Sequence, residues 1–252
     1  MARLYPPCML LLIFCPMLLA AGEVRIAVAS NFLPTMERIT KAYADHSADR
    51  LLISSGSTGK LYAQIWNGAP FDVFLAADAQ RPQRLVQEGL AIAESRFTYA
   101  IGRLSLWSAQ QNNCQENLKN ASFKGRLAIA NPKTAPYGAA AAEVIETLDL
   151  TTKLRRRLAR GENIGQTFQF VRTGNATMGF VATAQLETQR EALNNTNGCR
   201  RDVPAQMHSP PVQDAVLLAR AKSSDAAKRF LVFLKSAATR ELISRSGYAL
   251  MN

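Results

Sequence analysis

Four short stretches place polar residues where a strand-like run gives way to a helix-like one. They are Ala29-Ser30-Asn31, Ser55-Gly56-Ser57-Thr58-Gly59, Pro136-Tyr137-Gly138 and Glu162-Asn163-Ile164. A helix start leaves backbone N–H groups free and carries the positive end of the helix dipole. Such starts bind anions, and open α/β sheets gather ligands at the carboxyl ends of their strands. Taken singly, each Ser or Thr reads as an ordinary helix cap. Converging from two lobes, the four would form an uncharged pocket rich in donors.

Other chemistry finds little support. Ser57-Thr58-Gly59-Lys60 fits the S-x-x-K pattern of acylating serine enzymes, so an exported enzyme using Ser57 and Lys60 is the alternative to weigh. Its partner motifs are missing: there is no Ser-Asp-Asn, and Lys133-Thr134-Ala135 lacks the glycine of K-T-G. Gly59-Lys60 is not a phosphate loop, because position 54 is Ser and Leu61 follows the lysine. With two histidines and no G-x-S-x-G, neither a serine triad nor a zinc site is expected. Asp78 reads better as a helix cap than as one of a carboxylate pair with Asp72. No catalytic residue and no cofactor is expected.

The elements that would position these residues alternate. Apolar β-rich runs fall at 24–29, 51–54 and 72–75, with helical spacing at 31–44, 57–65 and 80–88. The pattern restarts after Tyr99, with strands at 103–107, 126–130, 177–181 and 215–219. Helices are expected at 137–148, 164–173, 224–236 and 238–246. This is an α/β series with mostly parallel sheets. The expected domains are lobe I, residues 23–100 plus 218–252, and lobe II, residues 101–217, with the ligand cleft between them.

The chain has 252 residues, 48% hydrophobic and 19% charged, which excludes a disordered tail, a collagen and a coiled coil. Thirty Lys and Arg against 19 Asp and Glu give +11, a balance that attracts anions. Only 8% is aromatic, and no basic-aromatic interleaving of the kind that stacks bases is present, so no nucleic-acid partner is expected. The basic cluster Lys153, Arg155, Arg156, Arg157 and Arg160 reads as the solvated face of a helix. Residues 1–22 read as a signal peptide: Arg3, then an apolar run from Cys8 to Leu19 too short to span a bilayer, then Ala20, Ala21 and Gly22. Bulky Phe14 argues against a lipoprotein site at Cys15. Cleavage near residues 20–22 would leave two cysteines, Cys114 and Cys199, both in polar, loop-like stretches. In an oxidising compartment they would join, with two unpaired thiols as the alternative.

Several longer stretches occur in one order. They include 26–32 (Ile-Ala-Val-Ala-Ser-Asn-Phe), 54–65 (Ser-Ser-Gly-Ser-Thr-Gly-Lys-Leu-Tyr-Ala-Gln-Ile) and 67–74 (Asn-Gly-Ala-Pro-Phe-Asp-Val-Phe). Further along come 95–102, Asn131-Pro132 with Ala135-Pro136-Tyr137-Gly138, and Gly179-Phe180-Val181-Ala182. Across the exported chain this pattern resembles the periplasmic molybdate-binding proteins of bacterial ABC transporters. The resemblance implies a two-lobed periplasmic-binding-protein type II fold that closes on molybdate or tungstate and delivers it to a membrane permease; a related binding protein for another oxyanion such as sulfate is the alternative that ranks ahead of the exported enzyme. It implies a periplasmic, monomeric protein. It further implies an oxyanion held by hydroxyls and N–H groups with no direct metal ligand: Ser30, Asn31, Ser57 and Thr58 from one lobe, Tyr137 and the Ile164 N–H from the other. Some members carry a tyrosine where this chain has Ala182, so no contact is carried over there.

Overall fold

The computed structural model describes residues 21–110, 125–190 and 198–251. Strands β1 (Glu23–Ala29), β2 (Arg50–Gly56), β3 (Val73–Leu75), β4 (Phe97–Ile101) and β10 (Val212–Leu217) form one sheet, ordered β2-β1-β3-β10-β4. Strands β5 (Leu104–Ser108), β6 (Leu127–Ala130), β7 (Leu158–Gly161), β8 (Met178–Ala182) and β9 (Cys199–Asp202) form the other, ordered β7-β6-β8-β5-β9. In each sheet one strand is reversed, β10 in the first and β5 in the second, and the other four run the same way. The two sheets therefore share one topology.

Helices cover both faces of each sheet. In the first lobe Val24, Ile26 and Val28 of β1 face α1 (Leu33–Ala44) and α8 (Asp225–Lys235), where Met36, Ile39, Tyr43, Phe230 and Leu234 are buried. Ala27, pointing the other way, meets Leu61 and Ile65 of α2 (Thr58–Trp66) and Leu85 of α3 (Gln80–Gln87). The period-two alternation of a strand divides these two cores. In the second lobe α4 (Pro136–Thr147) covers Leu127 and Ile129. On the opposite face α6 (Ile164–Arg172) covers Ala128 and Val181, with Phe168 stacked on Trp107 at 4.9 Å. The fold is a pair of α/β lobes, as the alternating pattern predicts.

Three expectations need correction. The expected return to lobe I at residue 218 falls late: β10 already pairs with β3 and β4 of the first sheet. The basic cluster is not one helix face. Helix α5 (Thr151–Leu154) holds only Lys153 of it, and Arg160 lies in β7, because Leu158 and Ala159 pair with Leu127 and Ala128 of β6. Arg155, Arg156 and Arg160 are nonetheless exposed. Strands β4, β7 and β9 and helix α7 (Thr183–Thr188) are additions to the expected elements.

Cys199 opens β9 and is disulfide-bonded. Cys114, its expected partner, lies outside the described residues, as does nearly all of the expected signal peptide.

Candidate functional site

Parallel pairing brings the strand ends together. Ala29 sits opposite Gly56 at the ends of β1 and β2, and Ala130 opposite Gly161 at the ends of β6 and β7. Each end leads into a helix start, and the two sets face each other. Ser30 follows β1, its N–H donating to the Gly56 carbonyl at 2.9 Å. Phe32 fixes this turn: it is fully buried, edge-on to Tyr99 at 4.7 Å and tilted against Tyr248 at 5.4 Å. Burying a phenylalanine contributes about 1.5–3 kcal/mol. Pro136 opens α4, with Tyr137 one position inside it. Ile164 opens α6, behind an Asn163 cap that accepts from the Gln166 N–H at 2.9 Å.

All six sequence-predicted residues, Ser30, Asn31, Ser57, Thr58, Tyr137 and Ile164, line one cavity. Ala29, Gly56, Ala77, Ala135 and Pro136 complete its wall, so no charged side chain reaches it. Its volume is about 10 Å³. Pockets for small organic molecules span roughly 300–1,000 Å³, so this cavity is far too small for one and admits only a species of a few atoms. It lies where the lobes meet: Gly59 N–H donates to the Thr134 carbonyl at 2.8 Å, and Gly165 N–H approaches Ser30 Oγ at 3.4 Å. A Cβ on Gly59 would come within 3.0 Å of Thr134 Cα, so glycine permits this close approach. Outside the cavity, Lys60 forms an ion pair with Glu162 across the same seam.

The donors differ in how they are engaged. Thr58 Oγ1 accepts from the Ala77 N–H at 3.1 Å, which leaves its own proton to donate. Ser57 caps α2 by position, yet its side chain makes no cap bond. Its hydroxyl is buried and has no partner; of the buried side-chain atoms in that state among the described residues, it alone belongs to a cavity-lining residue. Asn31 is turned inward: Nδ2 donates to Gln213 Oε1 at 2.7 Å and to Tyr248 Oη at 3.1 Å. Asn31 therefore faces the cavity with its backbone, and its amide braces the wall. Tyr137 Oη accepts from Gln213 Nε2 at 3.3 Å. Burial first, and nearby Tyr248 second, hold the Tyr137 hydroxyl well above the usual tyrosine range, so it stays a neutral donor at physiological pH.

The acylating alternative is not assembled. Lys60 is half-exposed and paired with Glu162, while Ser57 Oγ has no partner at all. Asp78 is a cap, accepting from the Arg81 N–H at 2.9 Å, and Asp72 accepts from the Arg25 N–H at 2.8 Å. Among the described residues no group of three His, Cys, Asp or Glu side chains could hold a metal ion directly. Ala182 lies outside the cavity wall and its N–H donates to Gln185 Oε1. Sequence reasoning missed Gln213. The available signal was a polar Gln213-Asp214 pair inside the otherwise apolar run of β10.

An uncharged, donor-lined cavity between two α/β lobes of shared topology defines the class of two-lobed solute-binding proteins for small anions. The chain belongs to the family of bacterial extracellular solute-binding proteins, whose pattern it matches over residues 24–249. It is 44% identical over 233 residues to the molybdate-binding protein ModA of Azotobacter vinelandii, covering 91% of each chain. It is 42% identical over 232 residues to ModA of Rhodobacter capsulatus, covering 91% of this chain and 89% of that one. The structure of the Azotobacter vinelandii periplasmic molybdate-binding protein superposes with a TM-score of 0.84 at 36% identity. That match covers 91% of this chain and 100% of the other.

Proposed function

We propose that this protein captures molybdate or tungstate outside the cytoplasm and hands it to the permease of an ABC transporter. The residues proposed to hold the anion are Ser30, Asn31, Ser57, Thr58, Tyr137 and Ile164, with Asn31 and Ile164 acting through backbone N–H groups. One observation carries the reading: the buried Ser57 hydroxyl has no partner in the protein, at a place where helix starts converge. A buried hydroxyl without a hydrogen bond costs about 1–3 kcal/mol, and an anion supplies the acceptor. The relatives named for molybdate favour this ion over other small anions. The proposed compartment is the periplasm, reached by a signal peptide cleaved near residues 20–22. The proposed lobes exchange the chain near residue 102 and again between β9 and β10. Their opening and closing would release and capture the ion.

Thermal melting with molybdate, tungstate, sulfate and phosphate tests the reading. Ligand at a thousand times its Kd adds about 4 kcal/mol, or roughly 8–16 °C for a chain of this size. Large shifts are expected with molybdate and tungstate only. An equal shift with sulfate would assign the site to oxyanions in general, and no shift with any of the four would reject it.

A further inference from the structure

Behind the cavity runs a chain of hydrogen bonds with a direction. Tyr248 donates to the Asn31 carbonyl at 2.9 Å, so its oxygen is left to accept from Asn31 Nδ2 at 3.1 Å. The same Nδ2 donates to Gln213 Oε1 at 2.7 Å. Gln213 then presents Nε2, which donates to Tyr137 Oη at 3.3 Å. Turning the Asn31 amide over would leave its Oδ1 and its carbonyl competing for the single Tyr248 proton, so the Asn31–Tyr248 pair sets the sense of the whole chain. Gln213 is fully buried, and its Oε1 also meets the Tyr99 hydroxyl at 3.2 Å. It sits on β10 in the first lobe while Tyr137 belongs to the second, so the chain crosses between the lobes.

We propose that Gln213 is a positioning residue that sets the polarity of the ligand site: by donating to Tyr137 it obliges the tyrosine to point its own proton at the bound anion. A tyrosine hydroxyl has one proton to give. With Gln213 Nε2 on its oxygen, the remaining partner must be an acceptor. Every oxygen of an unprotonated tetrahedral oxyanion supplies one, whereas the hydroxyl of a protonated oxyanion is a weaker acceptor and finds the Tyr137 oxygen already accepting from Gln213. Gln213 would thus enforce preference for fully deprotonated ligands without touching them. The inference rests on the site proposed above, in which Tyr137 contacts the anion.

The test is a double-mutant cycle read by calorimetric titration of the full exported chain with molybdate, between pH 5.5 and 8. In the wild-type background Tyr137→Phe should weaken binding about tenfold, the worth of one charge-assisted hydrogen bond. Gln213→Glu places a carboxylate that accepts from Tyr137 and turns its proton away from the cavity. At pH 8 it should weaken binding by about tenfold or more, and adding Tyr137→Phe should then cost less than about twofold. As pH falls and the buried glutamate protonates, it can donate again, and affinity should recover toward wild type. Simple repulsion between the new carboxylate and the ligand would leave the Tyr137→Phe cost at its wild-type size, and that result overturns the proposal. So does a Gln213→Glu chain with wild-type affinity at pH 8. If Gln213→Glu does not fold, Gln213→Met takes its place: Tyr137→Phe should cost less on Gln213→Met than alone, and full additivity overturns the proposal. A wild-type chain that binds neither molybdate nor tungstate rejects the site reading itself, and the polarity role with it.

Discussion

Replacing Ser57 with alanine separates a ligand-binding hydroxyl from a structural one. A serine at a helix N-cap normally contributes about 1 kcal/mol by accepting from the first turn. Here that bond is absent, and the hydroxyl is buried with no partner. Ser57→Ala therefore removes no intramolecular hydrogen bond and relieves an unsatisfied buried group. Stability of the ligand-free chain should stay within about 0.5 kcal/mol of wild type or rise. Binding should suffer, because a hydrogen bond to a charged group is worth about 1.5–3 kcal/mol, or roughly 10–150-fold in Kd. Urea denaturation without ligand gives the first quantity and calorimetric titration with molybdate the second. A variant destabilised by more than about 1 kcal/mol with unchanged affinity would refute the reasoning, since the hydroxyl would then serve the helix rather than the ligand.

Further outcomes follow from the same geometry. Thr58→Val leaves the buried Ala77 N–H without its acceptor, so unlike Ser57→Ala it should cost about 1–3 kcal/mol in urea denaturation as well as weakening molybdate binding. Asp49 accepts from Arg229, the Gly22 N–H, Ser47 and Tyr43, and the Arg229 guanidinium first among these holds its carboxyl well below the usual carboxylate range. A depressed carboxylate stabilises fully above its unfolded-state pKa of about 3.9, and that contribution is lost as pH falls below it. Wild-type stability should therefore drop below about pH 4, while Asp49→Asn, less stable at pH 7, should show a shallower acid loss in melts across that range. Lys60→Glu or Glu162→Lys alone should speed molybdate release by up to about fivefold at low salt, with the effect fading at 1 M salt. The charge-swapped double variant should restore the wild-type release rate in stopped-flow measurements.

The helix starts were legible because each joins a strongly apolar strand to a polar turn and an amphipathic helix. Ser30, Ser57, Tyr137 and Ile164 could thus be placed at strand ends before any geometry was known. Convergence was not legible, since it depends on how the two lobes meet. The missed elements have physical reasons. Strand β9, Cys199–Asp202, carries Arg200, Arg201 and Asp202 at a sheet edge, where one side needs no apolar residue. Strand β7 hides among arginines because only Leu158 and Ala159 supply its apolar signal. Strand β4 is fixed by pairing with β10, more than a hundred residues away. Strand β10 itself sits in the first sheet although the chain reaches it from the second, so no local pattern marks the crossing. Gln213 escaped notice because a buried glutamine within a strand shows its purpose only when Asn31, Tyr99 and Tyr137 surround it.

The central claim is that this cavity holds one deprotonated oxyanion of the molybdate class. Equilibrium dialysis of the exported chain against molybdate with a large excess of sulfate and phosphate, followed by elemental analysis, tests it most directly. The account predicts one molybdenum retained per wild-type chain and a markedly lower retention by Ser57→Ala under the same conditions. Loss of molybdenum to sulfate, or equal retention by the two chains, would contradict it.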